Sequence, residues 1–110
     1  MSAGSIPVML LEWRAVVKGG LRGFAKVRLG KSLTIHDVPV LVSHGKAWAT
    51  MPSKPLVGAD GVALRDTNGR QRYAPVLEWA DRDSSNRFSA GVIEAIKRDH
   101  GPAALDETAA

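Results

Sequence analysis

Cysteine is absent from this chain of 110 residues, aromatic residues make up only 5% of it, and long apolar runs are missing. The absence of cysteine excludes disulfides, thiolate zinc sites and a cysteine nucleophile, and it fits a reducing compartment. No apolar run approaches the ~20 residues that span a bilayer, and the N-terminus has no signal-like apolar segment. We therefore expect a cytoplasmic protein without a membrane partner. A chain of this length has room for one domain, which argues against an enzyme with separate cofactor and substrate domains.

Charge is distributed unevenly along the sequence. The formal net charge is +4. Residues 1–72 contain eleven basic and four acidic side chains, whereas residues 73–110 contain four basic and seven acidic ones. Such an asymmetry is typical of nucleic-acid binding through the basic half, although basic surfaces without that role are common.

The first half of the chain has the two-residue periodicity of β-strands. The alternation predicts strands over residues 8–18, 21–29, 33–42 and 46–51, separated by glycine-containing turns. In the first strand the odd positions are apolar and are predicted to face the core: Met9, Leu11, Trp13, Ala15 and Val17.

The pairing register of the second hairpin, between the strands at residues 21–29 and 33–42, can be predicted from its loop length. A three-residue loop places Leu33 opposite Leu29 and Ile35 opposite Val27, which keeps apolar side chains together. Beyond Asp37 the alternation fails, so we expect a bulge or a sheet edge there.

The second half predicts a loop and a helix. Residues 52–71 have neither the apolar period of a strand nor that of a helix, so they are predicted to form a long loop, functional or mobile. Residues 72–80 are predicted to form a short edge strand. A helix is predicted to start at Ser84 or Ser85 and to end at Gly101, with an apolar stripe on one face. The stripe consists of Phe88, Val92, Ala95 and Ile96.

The fold class predicted from these elements is α+β. We expect a small antiparallel sheet of four to five strands with a C-terminal helix packed on it. Residues 1–102 are predicted to form this single domain, and residues 103–110 are predicted to be a disordered tail.

Candidate binding residues lie in the basic half. Arg22, Phe24, Lys26 and Arg28 alternate along the second strand, so cations are spaced ~7 Å apart on one sheet face with a ring between them. That spacing suits the phosphates of an extended strand, and an exposed ring offers a platform for a base. The alternative is a solvated sheet face with Phe24 covered by a neighbour. Trp48 is compatible with either exposure or burial.

Further candidates lie in turns and in the long loop. A flexible basic loop beside a basic sheet can close over a polyanion, although loop charges also serve solubility. The additional candidates are Lys31, Lys46, Lys54, Arg65, Arg70 and Arg72.

Residues suited to catalysis are few. His36, His44 and His100 have neither the spacing of a helical metal pair nor a nearby cluster of ligands. The glycines match no phosphate-binding fingerprint, and no serine lies in a nucleophile elbow. We therefore expect no enzyme, no cofactor and no metal site.

Four short motifs together resemble one protein family. They are His36-Asp37-Val38-x-Val40, Ala49-Thr50-Met51-Pro52-Ser53-Lys54, Arg65-Asp66 and Ser84-Ser85-x-Arg87. In this order they are similar to the SpoVG family, the stage V sporulation protein G or septation regulator. The resemblance implies a small antiparallel sheet with a C-terminal helix, a homodimer, and DNA and RNA binding by a bacterial regulator. It also implies backbone contacts by Lys54 and Arg65. Pro55 departs from the family, in which a second basic residue often follows the lysine.

Two functions are consistent with these observations. The leading hypothesis is a dimeric regulator that binds nucleic acid (single-stranded DNA, duplex DNA or RNA) through a basic sheet face and a basic loop. The alternative is a protein-interaction module that regulates cell division or transcription without binding nucleic acid. For the dimer we expect a second copy to cover Val38, Val40 and Val42, because a single helix is predicted to leave them exposed.

Overall fold

A four-stranded antiparallel sheet with one helix on one face dominates the computed structural model, which describes residues 7–105. The sheet order is β1-β2-β3-β4, and a second sheet pairs β5 with β6. The elements are β1 (Val8–Lys18), β2 (Leu21–Leu29), β3 (Leu33–Ser43), β4 (Lys46–Ala49), β5 (Ser53–Pro55), β6 (Tyr73–Pro75), α1 (Arg82–His100) and a 3₁₀ helix (Pro102–Leu105). The predicted α+β class is confirmed. Among the described residues, no helix combines the length and apolar character needed to cross a membrane.

The core lies between the sheet and α1. The predicted helical stripe is buried there together with side chains of β2, β3 and β4. Val38, Val40 and Val42 are buried within a single chain. The expectation that they need a second copy as cover is wrong, because the 19-residue helix and Leu105 close over this face of the sheet.

A bulge in β1 overturns most of the predicted inward-facing set. The register with β2 shifts between Leu10 and Glu12, so Val8 and Leu10 pack against the core before the shift, whereas Trp13 packs against it after the shift, as predicted. The predicted inward residues Met9, Leu11, Ala15 and Val17 are exposed instead. A bulge moves every following side chain to the opposite face, and an alternation pattern alone does not reveal its position.

The β2–β3 hairpin has the predicted three-residue register. Val27 pairs with Ile35 and Leu29 pairs with Leu33. The expected bulge follows at once, because Ala25 pairs with Val38 and the intervening Asp37 adopts a φ of 53°. Aspartate tolerates this left-handed conformation better than most residues.

The predicted long loop is an ordered arm, which we define as residues 53–75. Its base is the β5–β6 pair, so the expected strand over residues 72–80 is limited to Tyr73–Pro75 and joins a separate sheet. Above the base, three backbone segments form a closed ring. Leu56 N–H donates to Arg72 O, Leu64 N–H to Leu56 O, and Arg72 N–H to Leu64 O, at 2.8–3.0 Å. The Gln71 side-chain amide donates to all three carbonyls.

The helix begins earlier than predicted and the chain remains ordered past its end. Asp81, rather than Ser84 or Ser85, is the N-cap, and its side chain accepts from Ser84 N–H at 2.7 Å. Gly101 ends the helix with a φ of 83°, as predicted. The predicted tail starts too early, because the 3₁₀ helix places Leu105 in the core. Residues 106–110 of that tail lie outside the described residues.

Candidate nucleic-acid interface

The sheet face away from α1 is the candidate site, and we call it the open face. Strand alternation and the register shifts in the β1–β2 and β2–β3 pairings place on it the side chains that do not enter the core. Its central residues are Phe24, Lys26, Arg28, Pro39, Leu41 and Trp48. The open face therefore combines rings, cations and apolar surface, and the core residues of the opposite face position its backbone.

Aromatic residues are divided evenly between the core and this face. Of the six in the chain, Phe88 is buried in the core and Trp13 and Trp79 pack against it. The other three, Phe24, Trp48 and Tyr73, line one groove of ≈ 730 Å³. Trp48 is 37% exposed and Tyr73 is 60% exposed, and Tyr73 reaches the groove from the arm. In a chain with so few rings, three at one exposed groove form a distinct feature.

The groove crosses the sheet toward the base of the arm. Apolar residues from β2 and β3 form part of its lining, and polar groups come from the β3 bulge and the segment after β4. Its remaining lining residues are Leu21, His36, Asp37, Pro39, Leu41, Thr50, Pro52 and Ser53. Two smaller clefts, of ≈ 350 and ≈ 510 Å³, are lined partly by α1 residues.

Arg14, Phe24 and Asp37 form a connected set at one end of the groove. The Arg14 guanidinium carbon lies 5.3 Å from the Phe24 ring centroid, and its Nη2 donates to Asp37 Oδ1 at 3.4 Å. The side chains of Arg14 and Asp37 are 61% and 69% exposed. Because both are so exposed, water screens this ion pair and it contributes little to stability.

Sequence reasoning missed Arg14. Lys18 pairs with Leu21 at the first turn. If that register continued along both strands without a bulge, Ala15 would lie opposite Phe24. The irregularity between Ala15 and Lys18 shifts the register by one residue, so Arg14 lies opposite Phe24. No feature of the alternation indicated that shift.

Arg22 does not belong to the open face. Its side chain is only 4% exposed, and its Nη1 donates to the carbonyl oxygens of Gly19 and Leu21 at 2.8 and 3.0 Å. The register between β2 and β3 shifts between Leu21 and Gly23, which turns Leu21 rather than Arg22 toward the groove. The predicted exposed cation at this position is therefore wrong.

The other predicted cations of the sheet lie at its surface. Lys26 and Arg28 are half-buried on the open face, and Arg28 Nε donates to Thr34 Oγ1 at 3.3 Å. Glu12 of β1 lies opposite Lys26. Lys31 is exposed in the β2–β3 turn, and Lys46 is the exposed first residue of β4.

The arm carries the remaining predicted cations. Lys54 is exposed in β5, next to the groove residue Ser53. Arg65, Arg70 and Arg72 are exposed above the base of the arm, and Arg65 Nη1 donates to Gly69 O at 3.0 Å. The structure thus places Phe24, Lys26 and Arg28 on one face of β2 and Lys54 next to a groove residue, whereas Lys31 and Lys46 lie near opposite ends of β3 and the three arginines occupy the ordered arm.

Metal-binding side chains do not come together in residues 7–105. No set of three histidine, aspartate or glutamate side chains is placed to hold a metal ion there. His36 is exposed at the groove beside Asp37. The chemistry that the open face offers is stacking, charge attraction and hydrogen bonding.

Comparison with known proteins leaves the family open. No protein-family model matches the sequence, and comparisons with curated proteins and with solved structures give no significant match. The resemblance to the SpoVG family therefore stays a prediction from its short motifs.

Proposed function

We propose that the protein binds single-stranded nucleic acid, DNA or RNA, across its open face and the base of its arm, without catalysing a reaction. One observation carries this proposal: the exposed groove that Phe24, Trp48 and Tyr73 line, beside the cations of β2 and β5. Proteins that bind single strands combine aromatic stacking surfaces with a positively charged track for the backbone.

Exposed rings favour unpaired bases. A base within a duplex has both faces covered by its neighbours, whereas a base in a single strand can stack on a protein ring. Phe24 pairs with Pro39, and Leu41, two residues further, pairs with Trp48. Strands about 4.8 Å apart and a rise of about 3.3 Å per residue put Phe24 and Trp48 about 12 Å from each other. Two nucleotide steps of an extended strand cover that distance, so the two rings can stack bases on either side of one intervening nucleotide.

The charge on this side of the molecule suits the phosphates. Lys26 and Arg28 lie on the same strand and face as Phe24, and Lys54 follows the groove residue Ser53. Cations on alternate strand positions are about 7 Å apart, which is close to the phosphate spacing of an extended strand. The backbone of a bound strand is therefore expected to leave the groove at Phe24 and to continue along β2 past Lys26 and Arg28.

A protein-interaction module is the second candidate, and the apolar part of the groove favours it. Pro39, Leu41 and Trp48 offer a surface that a peptide could cover instead of a base. The two functions differ in their response to salt, because counterion release makes nucleic-acid affinity fall steeply with salt concentration.

Fluorescence anisotropy with labelled oligonucleotides tests the proposal. Single strands of about 12 nucleotides, deoxythymidine or uridine, are compared with a duplex of the same length at two salt concentrations. We expect tighter binding of the single strands, steep salt dependence, and quenching of Trp48 fluorescence by the stacked base. Trp48→Ala and Tyr73→Ala should each weaken binding about 5- to 150-fold, the range for loss of one stacking contact.

The matched control is Val62→Ala, because Val62 is an exposed apolar residue of the arm outside the groove. It should leave affinity unchanged. Equal affinity of wild type and Trp48→Ala, or binding that does not respond to salt, would contradict the proposal and leave the interaction module as the better account.

A homodimer and a cytoplasmic location belong to the same proposal. The outer edge of β1 has no partner strand among the described residues, and it exposes Met9, Leu11, Val16 and Val17. An unpaired apolar edge of this length is suited to antiparallel pairing with β1 of a second copy, which would extend the open face across the two-fold axis. Sedimentation equilibrium should give twice the chain mass of 11.7 kDa, and Leu11→Lys should give the single mass. A one-chain mass for the wild type at micromolar concentration would refute the dimer.

A further inference from the structure

The Arg14 guanidinium occupies a place suited to a planar ligand. It lies over the Phe24 ring, with 5.3 Å between the guanidinium carbon and the ring centroid, and it donates to Asp37 Oδ1 at 3.4 Å. A ring below and a carboxylate at the side are therefore arranged around a flat group with N–H donors. Asp37 Oδ2 makes no hydrogen bond to the described residues.

Guanine has the same chemistry as that group. Its six-membered ring contains a guanidine unit, and its Watson–Crick edge presents N1–H and the N2 amine as adjacent donors. A carboxylate accepts two parallel N–H bonds from such an edge, as it does from arginine. Adenine and cytosine present an acceptor beside a donor, and uracil and thymine present one donor between two acceptors. Each of these bases would place a carbonyl or ring-nitrogen lone pair against the carboxylate.

We propose that Phe24 and Asp37 form a guanine subsite, in which the base takes the place that the Arg14 guanidinium holds in the free protein. This inference rests on the proposed function, since it assigns one base of the bound single strand to this end of the groove. The base stacks on the Phe24 ring, and its N1–H and N2 amine donate to the Asp37 carboxylate.

The displacement of Arg14 is expected to cost little. Its side chain is 61% exposed, and its contact with Asp37 is a solvent-screened pair that contributes little to stability. The released guanidinium lies at the end of a groove that holds a polyanion, so it can bind a neighbouring phosphate instead. The protein thereby exchanges an internal ion pair for a base contact and a phosphate contact.

The backbone of Asp37 is held in place independently of Arg14. The β3 bulge fixes its backbone at a φ of 53° between two paired stretches of β3. Among the groove-lining residues it is the sole carboxylate, and it lies on a face whose other charges are mainly basic. A lone carboxylate repels phosphate, so within a strand-binding groove its favourable partner is an edge with two donors.

Single-base substitution in one oligonucleotide tests this subsite. The probe is a deoxythymidine strand of about 12 nucleotides with one central guanine, compared with strands that carry inosine, adenine or cytosine there. Inosine retains N1–H but lacks the N2 amine, so the comparison isolates one donor. Wild type should prefer guanine about 5- to 150-fold over adenine, the range for one good bidentate contact, and inosine should fall between them.

Asp37→Asn should bring the four affinities within about twofold of each other while leaving the melting temperature unchanged, because asparagine also tolerates a positive φ. The matched control is Asp99→Asn. Asp99 is an exposed helical aspartate that pairs with Arg98 at 3.3 Å, and its removal should leave the guanine preference intact.

The outcomes separate this inference from the proposed function. Tight single-strand binding without guanine preference, or a preference that persists in Asp37→Asn, would overturn the guanine subsite and leave strand binding standing. Titration with guanosine monophosphate tests the subsite without a strand. Binding of this nucleotide that depends on Asp37, in a protein that does not bind single strands, would support the subsite and overturn the proposed function. Absence of binding to strands and nucleotide would overturn both.

Discussion

Phe24→Ala distinguishes a binding role for this ring from a packing role, and Phe88 provides the matched comparison. These are the only two phenylalanines in the chain. Phe88 is a buried member of the core, whereas Phe24 is half-buried on the open face and outside the core cluster. The same substitution is thus made once in the core and once at the proposed site.

The expected losses of stability differ. Full burial of a phenylalanine contributes about 1.5–3 kcal/mol, so a half-buried ring contributes about 1 kcal/mol. The Arg14 contact adds about 0.5–1 kcal/mol. Phe24→Ala should therefore cost about 1–2 kcal/mol of unfolding free energy, which is about 4–8 °C in Tm for a domain of this size. Phe88→Ala, which leaves a cavity in the core, should cost about 3–5 kcal/mol.

For affinity the expected order of the two positions is reversed, so the substitution at Phe24 should have the larger effect. Phe24→Ala should weaken single-strand binding by about 1–3 kcal/mol, which is about 5- to 150-fold. Phe88→Leu, a milder core change that keeps the chain folded, should lower Tm without changing affinity at temperatures where the variant is folded. Thermal melting and anisotropy on the same preparations give both values.

A Tm loss for Phe24→Ala as large as that for Phe88→Ala would show that the ring is structural. An unchanged affinity with an unchanged Tm would show that the Phe24 ring neither stacks on a base nor packs in the fold. That result would remove the central stacking contact from the proposed site.

Three further predictions follow from the structure. Alanine at both Lys26 and Arg28 should reduce the slope of log K against log salt by about 1.4, because each phosphate contact to a single strand contributes ~0.7. Gly23→Ala should destabilise the fold by about 1–3 kcal/mol or more, because its Cβ would lie 2.5 Å from the Arg14 carbonyl oxygen. Backbone and side-chain hydrogen bonds from Ser84 lower the pKa of Asp81 from its ordinary value of 3.8. The resulting stabilisation is fully present above pH 3.8 and is lost as the pH falls through the lowered pKa; Asp81→Asn should remove this pH dependence in acid unfolding curves.

A control or a contradicting result can be stated for each of these three predictions. Lys97→Ala with Arg98→Ala removes two cations from the exposed side of α1 and should leave the salt slope unchanged; an equal reduction would show that the slope reports net charge alone. An unchanged Tm for Gly23→Ala would contradict the close contact with β1. Identical acid unfolding curves for wild type and Asp81→Asn would contradict the proposed cap.

Local alternation was sufficient to predict most of the strands, the helix and one register. The bounds of β1 and β2 follow from apolar and polar residues that alternate between glycine turns, and the Val27–Ile35 pairing follows from loop length. The helical stripe around Phe88 followed from its spacing, because one face of the helix must be apolar to pack on a sheet.

Bulges account for most errors at the candidate site. A single extra residue places Leu21 in the groove instead of Arg22, and another brings Arg14 over Phe24. These two shifts depend on how β2 pairs with its neighbouring strands, so the pattern of a single strand does not contain them, whereas the broken alternation after Asp37 did indicate the β3 bulge. The arm was missed for a related reason: its order comes from backbone bonds among Leu56, Leu64 and Arg72, which leave no period in the sequence.

The closed ring of hydrogen bonds makes the upper part of the arm a self-contained unit. Backbone carbonyls and amides of this segment bond to one another, and its two ends join the rest of the chain at the paired residues Pro55 and Tyr73. A short Asn-Gly turn can close that pair, because two-residue turns of this type join antiparallel strands. Residues 56–72 can thus be excised or exchanged for a ribbon of different charge without interrupting a strand of the main sheet. The length and charge of the upper arm are therefore design variables that can change independently of the sheet.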